Sequence, residues 1–219
     1  NFFIANVQTG FGPFIAVYLT AQAWTQVDIG LALTVGGLVG LAGQIPGGAL
    51  VDVVRSKRLV AAASIGAIAV SALMLALWPV FLAVLAAEIL HSLASCLLGP
   101  ALAAISLGLV GHAAIGERLG RNAGFASLGN GIAAALMGAC GRLFSTQAVF
   151  LVTAVLSVPA LLALKRIRPD EIDPVRARGG ARRGPSGGVM ALMSNVPLMI
   201  FGGCVLLFHF ANAAMLPLM

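Results

Sequence analysis

Charged residues are what this sequence has least of: Asp, Glu, Lys and Arg supply 9% of its 219 residues, against about a quarter in an ordinary water-soluble domain. Apolar residues reach 60% and the mean hydropathy is +1.03, so a water-facing surface cannot be assembled from this chain. Cysteine is nearly absent. Cys96, Cys140 and Cys204 lie inside apolar runs without CxxC spacing, which argues against a disulfide framework or thiolate zinc site and leaves them as small core residues. Also missing are a Gly-rich phosphate loop, an HExxH zinc motif, an acidic metal cluster and a spaced Ser-His-Asp set. No enzyme, cofactor or metal is therefore expected, and any work must draw on a gradient or on the solute itself.

What is present is a series of apolar runs about twenty residues long, without strand-type alternation. Such runs are transmembrane helices, because lipid cannot satisfy the backbone of anything less self-contained. Seven spans are predicted, over about 2–19, 28–51, 59–78, 80–110, 122–142 and 148–165, and from Pro197 onward. The chain does not begin with Met and stops at Met219 inside an apolar run. With no cleavable signal visible, it reads as a fragment.

The few charges are sorted by side. Arg55, Lys57 and Arg58 follow the second span, Arg118 and Arg121 the fourth, and seven more cations the sixth, which accounts for twelve of the thirteen Lys and Arg residues and leaves only Arg142 elsewhere. The loop from Thr20 to Val27 has none. If each segment crosses once, the 2–3, 4–5 and 6–7 loops share a face, and the positive-inside rule makes that face cytoplasmic, at the plasma (inner) membrane. Topology also explains the pI of 10.3, so no nucleic-acid partner is expected. Residues 167–188, rich in Arg, Gly, Pro and Ser, read as a flexible cytoplasmic linker whose cations rest on anionic headgroups. The domains expected are a six-helix bundle over 1–166, this linker, and the start of a second bundle over 189–219. Asn6 after Phe3-Ile4-Ala5 and Asn212 after Phe208-His209-Phe210-Ala211 lie 206 residues apart, a weak sign of a parallel repeat like those that enclose a transport site.

The turn after the second span carries Gly48, Leu50, Asp52, Lys57 and Arg58. In this place it resembles the signature of the major facilitator superfamily, Gly-x-Leu-x-Asp-(Arg)-x-Gly-Arg-Arg/Lys-Arg, with Val53, Arg55 and Ser56 departing from it. Gly116-Glu117-Arg118-Leu119-Gly120-Arg121 resembles the charged cluster that faces that signature. Glu88-Ile89-Leu90-His91-Ser92, with Gly99-Pro100 beyond, resembles the fourth-helix pattern Arg-x-x-Gln-Gly, but with Glu, His and Ser substituted. The Gly-Pro antiporter pattern of the fifth helix is not matched. The resemblance implies an all-α membrane protein, a six-helix N-terminal bundle with linker and seventh helix from a twelve-helix, monomeric transporter. It further implies a cytoplasmic gate in which Gly48, Asp52, Lys57, Arg58, Glu117 and Arg121 pair and separate as the protein opens. Plain topology anchoring is the alternative.

Two polar groupings lie within the spans. Glu88, His91, Ser92, Ser95 and Gly99 form one stripe of the fourth helix. A carboxyl at mid-membrane costs about 3 kcal/mol on insertion scales, so Glu88 and His91 are the proton-coupling candidates, with a satisfied interhelical hydrogen bond as the alternative. Asn6 and Gln8 precede Gly10-Phe11-Gly12-Pro13, where the first helix should bend or break. Together with Asn130, His209 and Asn212 they are expected to line a central polar cavity. The function expected is secondary transport of a small solute by alternating access, coupled to protons. A passive facilitator or channel, and a drug–proton antiporter, stay open as alternatives.

Overall fold

A computed structural model describes residues 1–179 and 194–213, with the backbone alone for residue 13 and residues 209–213. The chain divides into two units, Asn1–Gly180 and Ala181–Met219, each considered by itself. Among the described residues there are helices and no strands.

The first span is two helices, α1 (Phe2–Thr9) and α2 (Pro13–Ala21). Pro13 stands at the start of α2, where its missing N–H is harmless, so the expected break falls at Gly10–Gly12. α3 (Gln26–Val53) opens on Thr25, whose hydroxyl accepts from the Asp28 N–H at 3.1 Å and donates to the Asp28 carboxylate at 2.7 Å. α4 (Lys57–Leu77) opens on Ser56, whose hydroxyl accepts from the Leu59 N–H at 3.3 Å.

The fourth and fifth spans form one helical stretch, α5 (Phe81–Leu143), broken only at Gly111 (φ 72, ψ 179). Sixty-three helical residues in line would run about 95 Å, three times a bilayer core. The chain instead doubles back: Asn122 Nδ2 donates to Ser106 Oγ at 3.0 Å, although sixteen residues of straight helix would separate them by about 24 Å. The turn expected over 111–121 is thus a single residue, and Glu117 and Arg121 ride on the first turns of the second limb. α6 (Ala148–Arg166) completes the bundle.

The core is aliphatic and aromatic, with Ile15, Leu19, Ile65, Ile68, Leu75, Leu98 and Phe150 fully enclosed. Tyr18 is buried with them because its hydroxyl donates to the Leu75 carbonyl at 2.8 Å. Close approach is set by two glycines. A Cβ at Gly129 would stand 2.5 Å from the Phe2 carbonyl oxygen, and one at Gly10 would collide with Thr153 Oγ1; α1 is therefore clasped between α5 and α6. α3, in contrast, turns Leu38, Leu41 and Ile45 outward, as a lipid-facing or partner-facing helix does.

Residues 169–179, expected to be flexible, are folded. Two 3-10 turns, Pro169–Glu171 and Arg176–Arg178, form a strap against α5. The Asp173 N–H donates to the Gly108 carbonyl at 3.2 Å, Ala177 is buried, and a Cβ at Gly108 would lie 2.7 Å from Ile172. In the second unit, α7 (Val196–Ala213) begins where Asn195 Oδ1 accepts from the Leu198 N–H at 3.3 Å.

Candidate functional site

Polar groups gather in three places in the first unit. The deepest lies between α3 and the first limb of α5. Glycines at three- and four-residue spacing give α3 a groove of bare backbone, and Glu88, Ser92 and Cys96, one turn apart, lie along it. A Cβ at Gly36 would be 3.0 Å from Glu88 Oε2, one at Gly43 would be 3.0 Å from Cys96 Sγ, and one at Gly47 would be 3.2 Å from the Cys96 carbonyl. The Cys96 thiol donates to the Gly40 carbonyl at 3.2 Å. Glu88 is 6% exposed and its Oε1 has no hydrogen-bond partner. It is a carboxyl buried within a span, eight residues into the first limb of α5.

His91 does not join it. Its ring stacks flat on Phe11, with centroids 3.8 Å apart and planes at 3°, and its Nε2 lies 3.3 Å from Ser95 Oγ. The expected stripe is thus divided between two neighbours: α3 receives Glu88 and Ser92, and the break after α1 receives His91. Phe11, some eighty residues away in the chain, makes this division, and no local pattern announces it.

The second place is an open cavity of about 410 Å³ lined by Gln8, Thr9, Gly12, Asn130 and Ala134. The Thr9 hydroxyl donates to the Ala5 carbonyl at 2.9 Å and stands 3.0 Å from the Asn130 carboxamide oxygen. Gln8 and Asn130 thus line one cavity. Asn6 departs from the expected set: it is buried inside the bundle, with its Oδ1 unpartnered. His209 and Asn212 fall on α7, but their side chains lie outside the described residues.

The third place is the charged end of the spans. Lys57 is 3% exposed, and its ammonium donates to the Val51 carbonyl and, at 2.9 Å, to the Asp52 carbonyl. A cation on the last carbonyls of α3 satisfies groups the helix leaves open and meets the negative end of its dipole. Arg58 reaches across to the Ile167 carbonyl at 2.7 Å, just past the end of α6. Asp52, Glu117 and Arg121 are exposed and Gly48 faces open space. Asp52 and Glu117 make no ion pair among the described residues; the pairs present are Arg168–Asp170 at 2.9 Å and Arg176–Asp173 at 3.4 Å. Asp173 lies outside the spans. Its carboxyl is held below the ordinary carboxylate range, first by the Arg176 N–H, then by the Val175 N–H, with the Arg176 charge a lesser cause.

A family profile described as Major Facilitator Superfamily matches residues 1–219. Two curated proteins of Mycobacterium tuberculosis, from strains CDC 1551 / Oshkosh and ATCC 25618 / H37Rv, each named an uncharacterized MFS-type transporter, are 40% identical to the chain over 227 residues. The alignments cover 100% of this chain and 54% of each relative, so the chain spans about half the length of the curated relatives it matches.

Proposed function

Because this chain belongs to the Major Facilitator Superfamily, and is thus an integral multi-pass membrane protein, we propose that the full-length protein is a secondary transporter that moves a small solute by alternating access and couples that movement to protons. The observation that carries the coupling is Glu88. A buried carboxyl on a glycine groove within a span, with one oxygen unpartnered and no ion pair among the described residues, can gain and lose a proton. The solute side of the reading rests on Gln8, Thr9 and Asn130, whose amides and hydroxyl converge on one open cavity. Residues 1–166 supply the first bundle, 167–188 the connection, and 189–219 the start of the second bundle, with the 2–3, 4–5 and 6–7 ends in the cytoplasm. At that end Asp52, with Glu117 and Arg121, is the gate: these charges are exposed and uncommitted here, free to pair when the cytoplasmic side closes. His91 positions the broken first helix through Phe11. No enzymatic step is assigned.

The test uses the full-length protein in proteoliposomes. A thermal-shift screen of sugars, amino acids, organic anions and cationic drugs first finds the solute. Glu88→Gln is then expected to abolish uptake driven by a pH gradient while leaving counterflow exchange. Uptake that still follows the gradient overturns the coupling role, and loss of both assigns Glu88 to folding or solute binding. A passive facilitator would equilibrate the solute without ever concentrating it.

A further inference from the structure

The strap 169–179 does more than cover the end of α5. With the turn between α3 and α4 it lines a half-open cavity of about 360 Å³. One wall is cationic, made by Arg55, Lys57 and Arg58; the other is apolar, made by Pro169, Ile172, Pro174 and Ala177. Of the strap's acids, Asp170 pairs with Arg168 and Asp173 with Arg176, and Glu171 accepts from the Arg168 N–H at 3.2 Å. The Arg55 guanidinium makes no hydrogen bond or ion pair among the described residues, and Arg58 spends one N–H group on the Ile167 carbonyl. Cations thus line a pocket that has no carboxylate among its lining residues, at the end of the spans.

We propose that this pocket binds the phosphate of an anionic phospholipid, with Arg55 and Arg58 as the phosphate-binding residues and the Pro169–Ala177 wall lying against the glycerol and upper acyl carbons. Arginine suits this task, because its planar fork offers paired donors to phosphate oxygens. The mixed lining selects a phosphodiester with an apolar attachment over a bare ion. Occupancy would tie the α3–α4 turn to the strap through one shared ligand. The site does not depend on what the protein transports, nor on Glu88.

The test is retention of phosphatidylglycerol by the full-length protein after delipidation and exchange, read by native mass spectrometry. Each basic residue near a membrane surface adds to anionic-lipid affinity, so Arg55→Gln with Arg58→Gln is expected to lower phosphatidylglycerol retention about thirtyfold relative to phosphatidylethanolamine. Arg55→Lys should retain most of it, and Arg142→Gln, which removes one cation elsewhere, should change nothing. Monodispersity on gel filtration confirms that each variant is folded. Equal retention by the double variant and the parent overturns the proposal. So does displacement of the lipid by millimolar inorganic phosphate, which would assign the pocket to a free anion.

Discussion

Glu88 and Lys57 are both nearly sealed from solvent, at 6% and 3% exposure, yet their surroundings differ in kind. Lys57 sits at the end of the spans and places its ammonium on two carbonyls that α3 leaves open. Glu88 sits inside a span against glycine backbone and keeps an oxygen without a partner. A buried charge that completes a helix end explains itself by stability. A buried carboxyl that completes nothing is a cost in the resting protein, and such costs are kept where a group must change its partner or its proton. The difference separates a residue that holds the bundle from one that works in it.

The comparison is most severely strained by crowding the groove. Gly36→Leu drives side-chain atoms into Glu88 and Ser92, and should lower stability by about 1–3 kcal/mol, as overpacking does. Gly37→Leu, where a Cβ meets nothing within 4 Å, should leave the thermal midpoint in detergent unchanged. Adding Glu88→Ala to the Gly36 variant should recover part of the loss; strict additivity would mean the two do not touch. Next, Lys57→Met removes a charge-assisted cap and strands two carbonyls, for about 1–3 kcal/mol, while vesicle uptake by the surviving protein stays near normal. A transport defect larger than the stability defect would move Lys57 from structure into the gate.

Asp52→Asn is expected to act the other way, slowing transport several-fold with insertion and midpoint intact; undiminished uptake removes it from the gate. The smallest effect belongs to Asp173→Asn. The folded Asp173 pKa is depressed, so its contribution is fully present above the unfolded pKa and fades as pH falls through the lower folded value. The variant should flatten the acid side of the midpoint-against-pH curve, and a curve that superimposes on the parent's would show that the Asp173 caps add nothing.

Much of this was legible in the sequence, for physical reasons that can be named. Apolar length marks a span because lipid accepts little else, and Pro13 after Gly10 and Gly12 marks the break between α1 and α2. The glycine groove of α3 could be read as close packing, since small residues at helical spacing have few other uses there. What lay against it could not, because Glu88, Ser92 and Cys96 reach it by tertiary packing. Asn6 is more instructive. Residues two apart on a helix are about 200° apart around it, so Asn6 and Gln8 could never have faced one cavity, and elementary geometry was enough to choose between them. The strap was hidden by its composition, since Arg, Pro and Gly describe a linker and a folded turn equally well. Its signal was Asp173, two and three residues before the N–H groups it accepts from. The single-residue reversal was hidden among 27 glycines.

That reversal has a consequence for how the gene can drift. At φ 72 and ψ 179, Gly111 occupies a region that is essentially closed to every residue with a side chain. A single base change in a glycine codon yields Ala, Val, Ser, Cys, Asp, Glu, Arg or Trp, and none of them sits there without strain. Most positions in an apolar helix wander freely among Leu, Ile, Val and Ala. This codon has only silent changes open to it, and the two longest limbs of the bundle hang from it.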